Sequence, residues 1–222
     1  MKGTLSIGII LVLFLASMGV ATAAIVQNGG FETSSVVPPD PGYLTCPDGI
    51  MNDWTIGGTI DAINGYWTPF EGLQSIDLTG TSPGSISQTL TLDPTKTYQL
   101  SFEMAANPGG LPNIKTAKVH WDNQVFEFSF DKSAHSGLSL TNMQWEKKTI
   151  NGLASSGTTV LTFEDVTVDN TYYGVALDDV IVVPEDNSPP TPVPEFPTIA
   201  LPMALIVGIL GAVLFIQRTK EN

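Results

Sequence analysis

The chain of 222 residues carries 22 acidic and 9 basic side chains, a formal net charge of −13, and one cysteine, Cys46. An acidic chain repels phosphate backbones, so nucleic acid is a poor partner, and a lone cysteine excludes an internal disulfide. Residues 25–194 hold 20 of the acidic residues and 6 lysines, and this length suffices for one domain with its own core.

The first 24 residues have the pattern of a secretory signal peptide. Lys2 precedes an apolar run over residues 5–20, and small residues follow it in "ATAA". Signal peptidase cleaves after a small-x-small pattern of this kind. The alternative is an uncleaved anchor helix, but strand-like sequence follows directly. We therefore expect residues 1–24 to be removed and the protein to be exported.

The exported part, residues 25–183, reads as β-structure. Apolar residues alternate with polar ones in "YQLSFEM" (residues 98–104), which is the period of a half-buried strand. Asp122-Asn123 separates two such runs and predicts a hairpin. Short strands with frequent turn signals predict an all-β jelly-roll sandwich. We expect the turn-rich residues 33–53 to form a long surface loop.

A proline-rich stretch and an apolar tail end the chain. "PEDNSPPTPVP" (residues 184–194) is predicted to be an extended spacer, because prolines favour polyproline geometry. Residues 196–216 contain no charge, and a helix of that length spans a bilayer core. A transmembrane helix over about residues 199–216 is therefore predicted, with Arg218 and Lys220 on the inner side.

An ordered set of motifs resembles the choice-of-anchor C family, a branch of the galactose-binding-like jelly rolls related to plant proteins with domain of unknown function 642. The motifs are "VQNGGFE" (residues 26–32), the long block "EGLQSIDLTG…FEMAANP" (residues 71–108) and "ALDDVIV" (residues 176–182). The resemblance covers nearly all of residues 25–183. It implies a β-sandwich on a surface-anchored protein, and it implies no particular ligand.

The tail, residues 195–222 with the preceding Pro194, resembles the PEF-CTERM sorting signal of archaea. Pro194, Glu195, Phe196 and Pro197 match the motif, and an apolar span and a short basic end follow. The resemblance implies an archaeosortase, a membrane transpeptidase that cuts near the motif and transfers the protein to an envelope anchor. The alternative is a plain transmembrane anchor that stays attached.

The jelly-roll resemblance also implies a structural Ca²⁺ between the first and last strands. Glu32 and Asp178 lie at the two ends of the domain sequence, with Asp77 as a weaker candidate ligand. Calcium takes six to eight oxygen ligands, so backbone oxygens near Asn28 and in residues 74–77 would complete the set. The alternative is that these carboxylates cap turns or pair with lysines.

Aromatic residues in polar, loop-like sequence are the candidates for a carbohydrate site. Sugars pack their apolar faces on aromatic rings while polar groups bind their hydroxyls. Tyr66, Trp67, Tyr172 and Tyr173 have this context. Trp67 and Tyr173 are almost as well interpreted as core residues.

No catalytic motif is evident, so we expect a non-enzyme. His120 and His135 lack metal-ligand spacing, and no H-E-x-x-H or G-x-S-x-G stretch occurs. The sequence predicts an exported cell-surface module of an archaeon, anchored at the membrane through its C-terminus, that binds envelope or extracellular polysaccharide. The alternatives are a purely structural surface protein and, less favoured, a glycosidase-like enzyme.

Overall fold

The computed structural model describes residues 24–169 and 172–185. The chain divides into a unit ending at Glu185 and a second unit of residues 186–222. The predicted signal peptide, spacer, sorting motif (Pro194 to Pro197) and transmembrane helix lie outside the described residues, apart from Ala24, Pro184 and Glu185. In the part of the chain that is described, no helix has the length and apolarity to cross a bilayer.

The described residues form eleven strands and one short 3-10 helix, Lys132–Ala134. The strands are β1 (Gly42–Cys46), β2 (Thr55–Gly57), β3 (Ile60–Asn64), β4 (Gln74–Asp77), β5 (Ser85–Thr91), β6 (Thr97–Ala106), β7 (Ile114–Trp121), β8 (Gln124–Asp131), β9 (Glu146–Ala154), β10 (Thr158–Asp165) and β11 (Val175–Pro184). One sheet has the order β1-β3-β4-β11-β6-β9 and the other the order β2-β5-β10-β7-β8. All strand pairs within both sheets are antiparallel.

The core lies between the two sheets and follows the alternation seen in the sequence. Ile86 and Leu90 lie four residues apart on β5 and are buried, which fits the two-residue period of a half-buried strand. Phe102 of β6 meets Phe163 of β10 edge to face, with ring centroids 5.0 Å apart. These aromatic contacts between the sheets bury large apolar area. The predicted all-β sandwich is confirmed.

The predicted hairpin joins β7 and β8 across Asp122-Asn123, with Trp121 opposite Gln124. Asp122 adopts a left-handed backbone conformation, with φ of 52°, which aspartate tolerates better than most residues. Its carboxylate accepts hydrogen bonds from the Val160 N–H and the Thr159 hydroxyl. The turn is thereby tied to the neighbouring strand β10.

Residues 33–53 are not a continuous loop, which corrects the prediction from sequence. Strand β1 lies within them and pairs with β3 at the edge of the six-stranded sheet. Prolines at positions 38, 39 and 41 surround its start. Proline is tolerated near an edge strand, because an edge leaves backbone N–H groups unpaired. The turn-forming residues therefore led to a predicted loop, whereas the segment contains a strand that carries Tyr43 and Thr45 to the outer face of the sheet.

Candidate functional site

A cleft of about 350 Å³ opens over the β1–β3 edge of the six-stranded sheet. Four of its lining residues are the aromatic candidates named from sequence. The full lining is Tyr43, Thr45, Asp61, Ile63, Tyr66, Trp67, Gly80, Thr81, Asn107, Tyr172 and Tyr173. Strands β1 and β3, the segment after β3 and the segment before β11 therefore converge on one site.

Two tyrosines form one wall of this cleft. Tyr43 is 51% exposed and Tyr66 is 41% exposed. Their rings meet edge to face, with centroids 5.5 Å apart. Edge-to-face contact fixes the orientation of both rings while leaving one ring face open. The pair is a partly exposed aromatic surface of the kind that a sugar ring packs against.

Trp67 differs from the expectation of an exposed platform. It is only 2% exposed, and its indole N–H donates a hydrogen bond of 2.7 Å to the Ser75 hydroxyl. Its ring lies 6.0 Å from that of Tyr66. Trp67 therefore supports the wall from behind and reaches the cleft only by its edge.

Tyr172 and Tyr173 line the cleft from the segment before β11, and they are 58% and 39% exposed. The Tyr173 ring packs against Gly109 and Gly110. A Cβ on Gly110 would lie 2.0 Å from Cδ2 of this ring, and Gly110 has φ of +51°. Both the space and the backbone conformation require glycine there. Glycine in this loop thus sets the position of Tyr173.

The floor of the cleft is polar. Asp61 of β3 accepts a hydrogen bond of 2.6 Å on Oδ1 from the Thr45 hydroxyl. Burial raises the pKa of Asp61 above its ordinary value, and the Thr45 bond opposes this effect. Asn107 donates from Nδ2 to Asp77 and accepts on Oδ1 from the Gly109 N–H. These contacts hold a carboxylate and an amide in fixed positions below the tyrosines.

A second groove of about 260 Å³ adjoins the first. It is lined by Gly65, Tyr66, Trp67, Thr68, Pro69, Leu140 and Thr141. Tyr66 and Trp67 line both depressions. The Trp145 indole N–H donates to the Thr68 carbonyl and ties this rim to the start of β9. The two depressions therefore meet at Tyr66 and Trp67.

The predicted metal residues Glu32 and Asp178 are both held by one segment, residues 70–74. Oε1 of Glu32 accepts from the backbone N–H groups of Leu73 and Gln74. Oδ2 of Asp178 accepts from those of Phe70 and Glu71. Gly72, with φ of +59°, permits this approach, since a Cβ there would lie 2.2 Å from Oε1 of Glu32.

Acidic groups crowd around this segment. Glu71 has its pKa raised by burial and by the nearby charges of Asp179 and Glu32. Burial raises the pKa of Asp178 to about 7 against three backbone hydrogen bonds. The side-chain Oε1 of Gln74 is buried without a hydrogen-bond partner among the described residues. Within those residues, no three His, Cys, Asp or Glu side chains form a group that could hold a metal ion.

Asp77 belongs to a different cluster. It is buried and accepts hydrogen bonds from the N–H groups of Thr79 and Gly174 and from Asn107. A Cβ on Gly174 would lie 2.4 Å from an oxygen of Asp77 and equally close to one of Asp165. Asp77 therefore shares no hydrogen-bond donor with Glu32 or Asp178, and the structure does not bring it to them.

Sequence reasoning missed several of the groups described above. Tyr43 and Thr45 lay in a segment interpreted as loop, and Gln74 was considered only for its backbone oxygen. Asp61 stands between apolar residues in "TIDAIN", a strand pattern in which a charged residue is unusual. A charge flanked by apolar residues in a strand was the available signal, because such charges are seldom buried without a role.

Halomucin from Haloquadratum walsbyi is similar to this chain. The two are 29% identical over 189 residues, which are 81% of this chain. The match spans only 2% of the length of halomucin.

Two carbohydrate-binding modules are among the similar solved structures. The complex of TmCBM61 with β-1,4-galactotriose has a TM-score of 0.46 and 15% identity over 74% of this chain and 100% of that one. A family 35 carbohydrate-binding module from Clostridium thermocellum has a TM-score of 0.41 and 14% identity over 64% of this chain and 97% of the other.

Two family models match the chain. Residues 193–220 match the PEF-CTERM archaeal protein sorting domain, which contains all four of the residues predicted as its motif. Residues 24–183 match the protein family of unknown function DUF642. Both expected resemblances are thereby confirmed, and the chain belongs to the DUF642 family.

Proposed function

We propose that the sandwich domain is a non-enzymatic module that binds a polysaccharide chain in the cleft beside β1 and β3, at the surface of an archaeal cell. The observation that carries the proposal is the convergence of four partly exposed tyrosines on one polar-floored cleft: Tyr43, Tyr66, Tyr172 and Tyr173. Exposed aromatic rings around placed hydrogen-bonding groups are the tools that sugar recognition needs.

The cleft supplies both kinds of contact. The tyrosine rings that line it would pack on the apolar faces of sugar residues. Asp61, Thr45 and Thr81 at the floor would bind hydroxyl groups. Because the neighbouring groove shares Tyr66, a chain of several sugars would extend across that ring. Affinity is therefore expected to rise with the length of the chain.

Removal of a cleft tyrosine is expected to weaken glycan binding by about tenfold or more, since an aromatic contact contributes on the order of 1–3 kcal/mol at a hot spot. Tyr66→Ala and Tyr172→Ala test the two pairs of tyrosines separately. Neutral and charged glycans on an array identify the ligand, and titration calorimetry then gives the affinity of each variant.

Val125→Ala is the control for these two variants, because Val125 is equally exposed but lies on β8 in the other sheet. It should bind like the wild type. Saturable binding that both tyrosine variants retain would place the ligand elsewhere. The rival function, a purely structural surface protein, predicts no saturable binding to any glycan.

We also propose a structural Ca²⁺ beside Glu32 and Asp178. Support comes from the buried Oε1 of Gln74, an acceptor without a partner in the described structure, and from the excess of acidic groups around it. Gln74 donates a hydrogen bond from Nε2 to the Glu32 carbonyl, which leaves the buried Oε1 as the end of the amide without a partner in the described structure. Amide and carboxylate oxygens are the ligands that calcium prefers.

Calcium at about a hundred times its dissociation constant is expected to raise the melting temperature by roughly 5–10 °C, because an ion that binds only the folded state stabilises it by about 2.7 kcal/mol at that ratio. The measurement is a thermal melt of metal-stripped protein with and without Ca²⁺. Asp178→Asn should melt lower and not respond, while Glu127→Gln on the other sheet should respond normally. Identical melts of wild-type protein with and without the ion would refute the site.

Export and sorting complete the proposal. The match of residues 193–220 to an archaeal sorting domain supports recognition by an archaeosortase-type transpeptidase. The processed chain would then remain attached at the cell surface through its new C-terminus. Display at the surface places the cleft where envelope or extracellular polysaccharide is available.

A further inference from the structure

The charge that lines the cleft is negative. Asp61 is the one charged residue that lines it, and no lysine or arginine does so among the described residues. Lys132 of the 3-10 helix is engaged elsewhere, because it donates to the carbonyl groups of Gly109 and Gly110. Nothing on the described surface of the cleft offsets the Asp61 carboxylate.

The position of the Asp61 carboxylate is fixed. Asp61 is 9% exposed, and Thr45 holds its Oδ1 at 2.6 Å. No described residue donates a hydrogen bond to Oδ2. Among the described residues, the buried side-chain atoms without a hydrogen-bond partner do not include Oδ2. Oδ2 is therefore accessible from the cleft that Asp61 lines. The floor thus presents one carboxylate oxygen that can accept a hydrogen bond from a ligand.

We infer that Asp61 is a specificity-determining residue that makes the cleft reject sugars bearing carboxylate or sulfate groups, so that the ligand is a polysaccharide chain without negative charge. This inference rests on the proposed function of the cleft. A neutral sugar hydroxyl donates a hydrogen bond to Oδ2, whereas a uronate carboxylate has no proton to donate and meets a like charge.

Repulsion between Asp61 and a charged sugar can be distinguished from repulsion by the overall negative charge of the protein. Two like charges about 4 Å apart near a protein surface repel strongly enough to weaken binding by at least a hundredfold. The overall negative charge acts over longer distances, and about 1 M salt reduces its range to roughly 3 Å. A partly buried pair is screened much less. We therefore attribute to Asp61 a preference for neutral over negatively charged sugars that persists at high salt.

Matched pairs of oligosaccharides test the inference. The probes are hexamers of β-1,4-linked mannose and glucose and the corresponding mannuronate and glucuronate hexamers, which differ only at C6. Calorimetry in 1 M NaCl uses the full chain purified in detergent. For the backbone that binds, the neutral hexamer should bind at least a hundredfold more tightly than its uronate counterpart.

Asp61→Asn is the decisive variant, because asparagine keeps the acceptor for Thr45, removes the charge and places an NH2 donor where Oδ2 stood. It should gain uronate binding by about a hundredfold and lose only a few-fold for the neutral hexamer. Glu127→Gln removes one charge from β8 and should preserve the wild-type preference. Should Asp61→Asn fail to fold, Asp61→Ser is the second variant, because it also removes the charge and should likewise gain uronate binding.

Two results would overturn the inference and leave the cleft a sugar site. One is equal affinity of the wild type for a neutral hexamer and its uronate. The other is an Asp61→Asn protein that binds the neutral hexamer but still excludes the uronate. Absence of binding to all four hexamers and to a wider glycan array would instead refute the proposed function, and the role of Asp61 with it.

Discussion

Replacing Asp77 with alanine is expected to lower the free energy of unfolding by about 3–5 kcal/mol at pH 5, because it leaves three buried N–H donors without an acceptor. Those donors are the backbone N–H groups of Thr79 and Gly174 and the side-chain amide of Asn107, at 2.8–3.1 Å. Asp77 is 1% exposed, so bulk solvent does not replace the lost bonds. Denaturant unfolding at fixed pH measures the loss.

The same substitution should also change how stability depends on pH. Burial raises the pKa of Asp77 from 3.8 to about 8 despite its three donors. The folded state therefore binds a proton that the unfolded state releases between about pH 4 and 8. Because the folded state binds more protons over that range, the stability that Asp77 contributes is present at pH 5 and falls as pH rises towards 8. The loss caused by Asp77→Ala should be larger at pH 5 than at pH 8.

Asp61→Ala is the matched control, because Asp61 lies directly opposite Asp77 in the β3–β4 ladder. Only one described group, the Thr45 hydroxyl, donates to it. Its replacement should cost no more than about 1 kcal/mol. Equal losses from the two variants, or a loss at Asp77 that does not vary with pH, would show that the buried donors do not account for the stability.

A buried lysine, Lys115, interacts electrostatically with Asp77 and Asp165 of this cluster. It is fully buried on β7, and its Nζ has no hydrogen-bond partner among the described residues. Burial lowers its pKa to about 8, while Asp77 and Asp165 oppose that shift. A buried cation that is not directly paired is costly, and the nearby carboxyl groups favour its charged form only when they are themselves ionised. Asn107 links this cluster to the cleft floor through Asp77.

Local patterns predicted several of the strands, and they gave a loop where strand β1 lies. The alternation in β5 and β6 and the β7–β8 turn are properties of neighbouring residues, so the sequence alone contains them. Strand β1 has only five residues and begins amid prolines. Its pairing with β3 is a long-range contact that stabilises an otherwise turn-like segment. The residues of the segment favour turns when taken alone, so the sequence predicted a loop there.

The candidate site was predictable in part for the same reason. Tyrosines in polar sequence indicated exposure, and Tyr66 and Tyr172 are indeed exposed. Trp67 has the same kind of neighbours, yet its contact with Ser75 buries it. The meeting of residues from β1, β3 and the segment before β11 follows from sheet order, which no local pattern specifies. Asp61 and the side chain of Gln74 became candidates only through their burial and unsatisfied oxygens.

Glu195→Ala and Phe196→Ala are each expected to abolish C-terminal processing, so that the full-length precursor accumulates. The match of residues 193–220 to the PEF-CTERM domain includes both positions. A transpeptidase reads side chains beside its cleavage site, whereas a plain anchor needs only an apolar span of sufficient length. Processing should therefore fail although the apolar run that follows is unchanged.

The measurement is an epitope tag placed after Asn222 and followed in an archaeal host that carries the sorting enzyme. Mature wild-type protein at the surface should have lost the tag, and each alanine variant should retain it on nearly all molecules. Ile209→Leu serves as the control, since it alters the apolar run without changing its length or hydrophobicity and should be processed normally. Intact mass of the surface protein then fixes the cleavage position. A tag that persists on mature wild-type protein, with both alanine variants behaving identically, would mean that residues 199–216 are a permanent membrane anchor, because a plain anchor is indifferent to the residues that precede it.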